Sequence, residues 1–437
     1  MLRRVSLATL GLVLAVPLGL AAQAPVRVFT GARLLPIAGP AIEDGVLVVQ
    51  DGKILAVGPR GSVRVPAGAE TIDARGKTIM PGLVDSHSHI GDADGADRSS
   101  PIQGDVRIMD ALDARAATIQ RAQAGGITSV NVMPGSGHLM SGQTVYLKLR
   151  DVGTIDELLI CAAPRTDICG GLKMANGTNP RGAAPFPGTR AKAAALVRDK
   201  FVKAVEYRAK LRAAGDDASK RPPRDLELEA LVEVLDGKRI VHNHTHRHDD
   251  VLTSVRLAQE FGYKLVLQHV SEGYKVAREI AAAGVPASII LIDSPGGKLE
   301  AIDGAFENAA ELVKAGVLVG FHTDDGITDS RFFLRSAGLA VRAGLSPKVA
   351  LEALTINNAK MLGLEQRVGT LEAGKDADFI LLSGDPLSVY TKVLETWVEG
   401  LKVFDRADAK DRALAVGGFG VMKGTLEGHW HDGMEDH

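Results

Sequence analysis

Residues 82–89 read GLVDSHSH, a short apolar strand that ends in two histidines one residue apart. Side chains two apart on a strand point the same way, so His87 and His89 can face one cation. The ends of strands are also where a parallel α/β barrel places its functional groups. This stretch therefore predicts the first strand of such a domain, with a candidate metal site at its end.

From about Pro81 onward, short apolar runs alternate with helix-like runs. The predicted strands are Gly82–Ser86, Ile127–Met133, Leu158–Ala162, Leu172–Ala175, Arg239–His242, Leu265–Gln268, Ala287–Leu291 and Val317–Phe321. The predicted helices include Ala111–Ala124, Arg190–Arg212, Val251–Phe261, Tyr274–Ala283, Ala305–Ala315 and Val349–Leu362. Eight strands with intervening helices predict the α/β class and a (β/α)8 TIM-like barrel.

Both ends of the chain have strand patterns instead. Val46–Val49 and Ile54–Val57 flank an Asp-Gly pair, which predicts a β-hairpin. Asp376–Leu382 and Thr396–Phe404 return to the strand pattern after the last helix. We therefore expect a small β-sandwich domain formed by both chain ends around the barrel.

The first residues have the features of an export signal. Arg3 and Arg4 precede the uncharged apolar run Val5–Leu20, and small residues follow it, which is the pattern of a secretory signal peptide. A membrane anchor is the alternative. The predicted divisions are 1–24 signal peptide, 25–80 first part of the β-sandwich, 81–362 barrel, 363–410 second part of the β-sandwich and 411–437 flexible tail. The expected location is secreted or periplasmic, with no membrane span after leader removal.

Composition narrows the classes of partner. The 437 residues are 45% hydrophobic and 24% charged, which is typical of globular proteins and excludes wholesale disorder. With 51 basic and 53 acidic residues the net charge is −2, so no basic surplus is present to bind nucleic acid. The two cysteines exclude a disulfide framework or a cysteine zinc site. Cys161 and Cys169 form either a single pair or two buried thiols.

Potential ligands recur at the ends of several predicted strands. His244 and His246 alternate in the run 242–246, His269 ends a strand, and Asp324 follows another. Neutral imidazoles with a carboxylate suit zinc or another first-row divalent ion. We therefore expect a divalent cation, zinc foremost, with one or two ions per chain.

Lys173 stands out because it lies in the apolar stretch 171–174. A lysine facing inward would be costly to bury unless it is paired or modified. One interpretation is a surface or salt-bridged lysine. The other is a lysine carboxylated by carbon dioxide, whose new carboxylate bridges two metals.

The segment 79–89 resembles the opening signature of the amidohydrolase superfamily. The later positions are similar in the same order: Lys173, the run 244–246, His269, the run 322–324, and residues 369–379 where such chains re-enter their β-sandwich. The resemblance covers about residues 26–405. Within the superfamily, the sequence is most similar to imidazolonepropionase-like amidohydrolases, a group that includes prolidase-type dipeptidases and ochratoxin-hydrolysing enzymes.

The resemblance implies roles for particular residues. His87 and His89 would hold the more buried metal, Lys173 would bridge, and His244 with His269 would hold the second metal. Asp324 would bind metal and act as the general base.

Two departures from the family pattern matter. Thr245, Arg247 and His248 stand where imidazolonepropionases and nucleobase deaminases usually carry a glutamate, which argues against a deaminase. His242, His244 and His246 also compete for one ligand position. His246 is the reserve ligand, and otherwise it would contact substrate.

Further residues are candidates for binding substrate, each with a structural alternative. Arg165 and Arg247 could bind a substrate carboxylate, or form structural ion pairs. His138 follows Gly-rich residues 134–137 that could line the pocket, or form a plain tight turn. His322 could orient Asp324, or be a core histidine.

The sequence thus predicts a secreted, metal-dependent hydrolase that cleaves an amide-type C–N bond with a metal-bound hydroxide. The small-molecule substrates expected are a dipeptide, an N-acyl amino acid or a cyclic amide. Alternatives are hydrolysis of a lactone or ester, imidazolonepropionase-like ring hydrolysis, and a non-catalytic periplasmic binding protein. A homo-oligomer is a family expectation.

Overall fold

The structure is a computed structural model, and it describes residues 25–92, 95–163, 166–291 and 298–417. The predicted leader and Arg165 lie outside the described residues, as does the tail beyond residue 417. Within the described residues, no helix has the length and apolar character needed to cross a bilayer.

The strands are short, and their bounds in chain order are as follows. They are β1 Arg27–Leu34, β2 Ile42–Gln50, β3 Lys53–Pro59, β4 Glu70–Asp73, β5 Thr78–Pro81, β6 Leu83–Ser88, β7 Ile127–Val132, β8 Met140–Gln143, β9 Val145–Lys148, β10 Leu172–Ala175, β11 Val241–Thr245, β12 Leu265–His269, β13 Ala287–Ile289, β14 Val319–Phe321, β15 Phe379–Leu382, β16 Val393–Val398 and β17 Leu401–Asp405.

The helices lie between these strands. They are α1 Ala117–Ala124, α2 Ile155–Leu158, α3 Arg190–Ala214, α4 Leu226–Leu235, α5 His248–Phe261, α6 Ala277–Ala283, α7 Asn308–Lys314, α8 Arg335–Arg342, α9 Pro347–Ala353, α10 Ile356–Leu362 and α11 Ala409–Val416. Single 3-10 turns lie at Ile108–Asp110, Ala218–Lys220, Gly273–Val276, Leu299–Ala301 and Ser330–Phe332.

Strands from both chain ends lie in one sheet, in the order β17-β16-β15-β5-β1-β2-β3, with β4 also paired to β1. β2 and β3 pair antiparallel across Asp51 and Gly52, whose φ angles of 49° and 76° are those of a primed hairpin turn. The predicted hairpin is therefore confirmed. The division into domains and the sandwich form of this part stay predictions.

The central strands form two further sheets, β14-β13-β12-β11-β10-β8 and β6-β7-β9. β10 to β14 pair in parallel, and so do β6 and β7. Seven of the eight predicted strands are present, and helices separate most of them, so the α/β class is confirmed. Closure of all strands into one barrel stays a prediction.

The strand predicted at Leu158–Ala162 is wrong. Leu158 ends α2, and Leu159 makes one isolated antiparallel bridge to Leu147. Leu158, Leu159 and Ile160 are buried although they form no strand. Apolar composition alone does not distinguish a buried strand from another buried segment. β8 and β9, which were not predicted, take its place in the sheets as antiparallel partners of β10 and β7.

Cys161 and Cys169 form a disulfide, with their Cα atoms 5.2 Å apart. Of the two alternatives left open by the sequence, the structure has the pair. The two cysteines are eight positions apart in sequence, and the bond closes the loop between them just before β10.

A buried ion cluster joins the central part to the sheet of the chain ends. Lys148 at the end of β9 is fully buried, and its Nζ lies 2.8 Å from Oδ2 of Asp376 and forms a second ion pair with Asp378. Both carboxylates belong to the residues that lead into β15. Since a buried charge is costly without a partner, this cluster fixes how β9 and β15 meet.

Candidate functional site

The six side chains predicted as ligands are all buried, and each lies in or just after a strand of the two central sheets. They are His87 and His89 at the end of β6, Lys173 in β10, His244 in β11, His269 at the end of β12 and Asp324 shortly beyond β14. Parallel pairing aligns the carboxyl ends of neighbouring strands, which is why residues so distant in sequence meet.

His87, His89 and Asp324 form a compact group, here called the Asp324 cluster. Oδ1 of Asp324 lies 2.9 Å from Nε2 of His89 and 3.4 Å from Nε2 of His87, and the two Nε2 atoms are 3.3 Å apart. Burial opposes ionisation of Asp324, but the adjacent histidines outweigh it and hold the pKa of its carboxyl well below the usual range. The cluster therefore presents an anionic oxygen between two imidazole nitrogens.

The other ring nitrogens of this cluster have fixed partners. His89 places Nδ1 2.8 Å from the carbonyl oxygen of Met133, and Nδ1 of His87 lies 3.4 Å from Oε1 of Gln268. Such contacts at Nδ1 orient a ligand histidine and leave Nε2 for the metal. Burial lowers the pKa of His87 well below its ordinary value, so the neutral ligand form is favoured.

Lys173 is fully buried beside the same histidines. Its Nζ lies 3.0 Å from Nε2 of His87 and 3.1 Å from Sδ of Met133, and no carboxylate of the described chain forms an ion pair with it. Burial lowers the pKa of Lys173 to about 7. The interpretation as a surface lysine therefore does not fit its position.

His269 and His322 form the next layer of the site. His322 Nε2 lies 3.1 Å from His269 Nδ1, and Ser288 Oγ lies 2.8 Å from His322 Nδ1. Nδ1 of His269 is 3.9 Å from Oδ2 of Asp324. One nitrogen each of His87, His269 and His322 lie within 4.8 Å of one another, so His269 groups with the first histidines more closely than expected.

The backbone holds Asp324 in an unusual conformation. Its φ angle is 47°, in the left-handed region that is uncommon for a non-glycine residue, and its N–H donates to the carbonyl oxygen of His87 at 3.0 Å. Asp85 accepts the N–H groups of Thr323 and His87 at 3.1 and 3.2 Å. These bonds tie the segment that carries Asp324 to the end of β6.

A second group lies along β11. One nitrogen each of His244 and His246 and one carboxylate oxygen of Glu300 lie within 4.8 Å of one another. All three side chains are buried. We call His244, His246 and Glu300 the Glu300 cluster.

His242 is engaged on both sides of its ring. Gln268 Nε2 donates to its Nδ1 at 3.2 Å, and its Nε2 shares a hydrogen bond with the hydroxyl of Tyr146 at 3.0 Å. Of the three alternating histidines, His244 and His246 are therefore the ones placed among other candidate ligands.

The predicted substrate-binding residues are scattered. His138 contacts the carbonyl oxygen of Asp97 and lies with its ring 5.4 Å from that of Phe186. Arg247 donates to Asp249 from Nε at 2.7 Å and from its guanidinium end, which matches the structural ion pair. His322 is buried against Ser288, and Arg165 lies outside the described residues.

Sequence reasoning missed two charged residues, Glu300 and Lys298. Glu300 is 4% exposed, and the charge of Lys298 acts on both Asp324 and Glu300. Glu300 lies in the 3-10 turn Leu299–Ala301 and Lys298 precedes that turn, and no periodic pattern or motif in the sequence marks either residue. The available signal was a pair of charged residues in the connection between the predicted strands Ala287–Leu291 and Val317–Phe321.

The donors present suit a divalent metal. Three imidazoles of the site, His87, His244 and His269, have pKa values lowered well below the ordinary value, mainly by burial, which leaves lone pairs available. Both ring nitrogens of His244 are buried without a hydrogen-bond partner in the described part of the chain. A buried imidazole without a partner is costly, and a cation would satisfy it.

Comparisons with known proteins agree with this geometry. The profile of the amidohydrolase family matches residues 224–405. The crystal structure of an amidohydrolase from Thermotoga maritima is 34% identical, with a TM-score of 0.81, and the alignment covers 87% of this chain and 100% of that one.

Two curated relatives are more distant. The amidohydrolase tasK of Hapsidospora irregularis is 28% identical over 83% of this chain, and the match spans only 39% of that longer protein. An imidazolonepropionase of Symbiobacterium thermophilum is 25% identical over 78% of this chain and 84% of its own length. The predicted resemblance is confirmed: the chain belongs to the amidohydrolase family.

Proposed function

We propose that this chain is a metal-dependent hydrolase that cleaves an amide-type C–N bond of a small molecule, such as a dipeptide, an N-acyl amino acid or a cyclic amide. The observation that carries the proposal is the Asp324 cluster, in which a buried carboxylate lies 2.9 Å from Nε2 of His89 and 3.4 Å from Nε2 of His87. The names of the relatives support the same class of reaction.

His87, His89 and Asp324 would hold a divalent cation, with Lys173, His244 and His269 buried beside them as the further ligands that the family implies. When bound, the cation acidifies water and polarises the substrate carbonyl. Carboxylation of Lys173 is part of the proposal. Zinc suits the imidazole and carboxylate donors.

Asp324 is the proposed general base. Its low pKa keeps it ionised, so Oδ1 or Oδ2 can take a proton from attacking water and return it to the leaving amine. The bond from its N–H to the carbonyl of His87 and the link from Asp85 to Thr323 keep the carboxylate from turning away. Burial of the surrounding histidines excludes bulk water from the proton transfer.

We also propose that the two central sheets close into a (β/α)8 barrel. The N–H of Asp324 donates to His87, and contacts between β14 and β6 bring the last strand beside the first. A crystal structure tests this proposal. We expect it to show β14 and β6 paired with each other, which would join the two central sheets.

Export is a further part of the proposal. The basic and apolar first residues support it, and so does the Cys161–Cys169 disulfide, because such bonds persist in oxidising compartments. Amino-terminal sequencing of the protein from the periplasm of its host is the test: we expect a chain that begins near residue 25, whereas an intact first residue in the cytoplasm would contradict export.

The activity is tested with purified chain and a panel of dipeptides, N-acyl amino acids, cyclic amides, lactones and esters. We expect turnover of an amide that stops with a chelator and returns with zinc. Hydrolysis of lactones or esters alone would overturn the substrate class, and turnover indifferent to the chelator would overturn metal dependence. Among the cyclic amides, opening of an imidazolone ring is the reaction that the name of one relative suggests.

A further inference from the structure

A chain of hydrogen bonds leads from His87 to a tyrosine outside the two clusters. Nδ1 of His87 lies 3.4 Å from Oε1 of Gln268, and Nε2 of Gln268 lies 3.2 Å from Nδ1 of His242. Nε2 of His242 lies 3.0 Å from the hydroxyl oxygen of Tyr146. His87, Gln268 and His242 are all buried, so bulk water does not compete for these bonds.

The two ends of the Gln268 amide set the direction of every bond in this chain. Its oxygen faces His87, so the neutral ring of His87 donates from Nδ1 and keeps the lone pair of Nε2. Its nitrogen donates to Nδ1 of His242, so the proton of His242 is on Nε2 and is donated to the Tyr146 hydroxyl. Nζ of Lys173, a donor, lies 3.0 Å from Nε2 of His87, which agrees with a bare nitrogen there.

The backbone around His242 and Tyr146 holds both residues in place. A Cβ on Gly171 would lie 2.6 Å from Cδ2 and 2.8 Å from Nε2 of His242, so the glycine leaves room for the ring and confines it. The N–H of Tyr146 donates to the carbonyl of Cys169 at 2.8 Å, and its own carbonyl accepts the N–H of Ile160 at 3.1 Å. The strand that carries the phenol is thus fixed on both sides.

The opposite direction of the chain would be incompatible with a cation on His87. If the Gln268 amide turned over, its nitrogen would donate to Nδ1 of His87, and the proton of His87 would occupy Nε2. The Tyr146 hydroxyl opposes this reversal by accepting the N–H of His242. Without the hydroxyl, that buried N–H loses its acceptor, which favours moving the His242 proton to Nδ1 and turning the amide.

We propose that Tyr146, His242 and Gln268 are positioning residues, which keep the proton of His87 on Nδ1 and so hold its Nε2 ready for a cation. His242 thereby has a role other than that of a ligand. The inference rests on the proposed function for the cation, whereas the position of the proton is a property of the metal-free chain and is measured there.

The first measurement uses the full chain stripped of metal and labelled with ¹⁵N-histidine. Long-range ¹H–¹⁵N correlation spectra distinguish a ring protonated on Nδ1 from one protonated on Nε2, and His87→Asn identifies the signal of His87. We expect the proton on Nδ1 in the wild type and partly on Nε2 in Tyr146→Phe. Tyr207→Phe is the matched control, because the hydroxyl of Tyr207 donates to the carbonyl of Pro223 at 3.3 Å, and it should leave His87 unchanged.

The second measurement is the affinity for zinc, by competition with a chromophoric chelator. Gln268→Leu removes two links of the chain and should bind zinc about 10- to 100-fold more weakly. Gln268→Glu still offers an oxygen to Nδ1 of His87 and should recover most of that loss. Tyr146→Phe should weaken binding about two- to tenfold, which is the worth of one hydrogen bond. Gln123→Leu, at a buried glutamine that donates to the carbonyl of Leu149 at 2.9 Å, controls for loss of a buried amide.

The outcomes separate this inference from the proposed function. A wild-type His87 protonated on Nε2, or a Tyr146→Phe variant equal to the wild type in both measurements, overturns the inference. If circular dichroism shows that Gln268→Leu does not fold, Tyr146→Phe decides the question, because it removes a single oxygen atom. A chain that has the expected spectra but binds no zinc retains the arrangement of protons and removes the proposed function.

Discussion

Nζ of Lys173 lies 3.0 Å from Nε2 of His87, and both groups are out of contact with water. The side chains of Lys173 and His87 cannot both be protonated here, because burial and mutual repulsion both disfavour their charged forms. Burial lowers the pKa of Lys173 to about 7, and the Lys173 charge adds to the burial that lowers the pKa of His87. At neutral pH a substantial share of the amine is therefore uncharged and nucleophilic.

We accordingly expect Lys173 to be carboxylated by carbon dioxide. The chain incubated with ¹³C-bicarbonate should show a carbamate carbon signal that is absent from Lys173→Met. The matched control is Lys314→Met, which removes an exposed lysine and should leave the signal intact. Identical spectra for the wild type and Lys173→Met would contradict the modification.

Asp324 should be required for turnover. Replacement by asparagine keeps the shape but removes the basic oxygen beside His89, so we expect kcat to fall about 10²- to 10⁴-fold. The readout is the rate on whichever panel substrate the wild type hydrolyses, with bound metal measured in parallel. Asp303→Asn, at an exposed ion pair with Lys275, should retain the wild-type rate. A rate for Asp324→Asn within about threefold of the wild type would exclude Asp324 as the general base.

Much of the architecture could be predicted from local patterns. Strands such as Leu172–Ala175 and Leu265–His269 are short apolar runs with helices on either side, and their ends carry the ligands. The run from Leu158 failed as a strand because burial in a turn leaves the same apolar composition as burial in a sheet. β8 escaped prediction because its sequence MSGQ lacks the apolar character of a barrel strand.

The positions of the candidate ligands were predictable where a histidine coincided with a strand end, as at His87 and His269. Which histidines group together was not, since His269 lies with His322 and His244 with Glu300 only after the chain has folded. Glu300 itself lies in the 3-10 turn Leu299–Ala301, and its carboxylate contacts Thr178 and Arg190, more than a hundred residues earlier in the chain. Such contacts leave no periodic trace in the sequence.

Lys148 should be among the most important ion-pairing residues for stability. It is fully buried between Asp376 and Asp378. Lys148→Met removes the cation that pairs with Asp378 and leaves Asp376 with only Lys53 and Arg367 among the described residues. Breaking a buried ion pair costs about 3–5 kcal/mol of the free energy of unfolding. Chemical denaturation measures this change, with Lys402→Met as a control at a more exposed pair, where we expect a loss below about 1 kcal/mol. Equal losses of the free energy of unfolding in the two variants would mean that the buried cluster stabilises the protein no more than the exposed pair does.

The same cluster predicts loss of stability in acid. Burial opposes ionisation of Asp376, but Lys148, Lys53 and Arg367 outweigh it and lower the pKa of the folded-state carboxyl to about 2, against an ordinary 3.8. A depressed folded pKa stabilises the protein above pH 3.8, and that stabilisation is lost as the pH falls toward 2. The difference is worth about 2 kcal/mol. Urea unfolding of the wild type at pH 4.5 and 2.5 should show this extra fall, which Asp376→Asn lacks; parallel pH profiles would contradict it.

The Cys161–Cys169 disulfide should stabilise the loop before β10. Closing a loop of this length restricts the unfolded chain, which stabilises the folded state by about 2–3 kcal/mol. The double variant Cys161→Ser, Cys169→Ser should therefore unfold at lower denaturant concentration than the oxidised wild type. Dithiothreitol separates the bond from the side chains, because it should destabilise the wild type and leave the double variant unchanged. If reductant shifts neither protein, the bond either does not form in solution or contributes nothing to folding, and the support it gives to export falls with it.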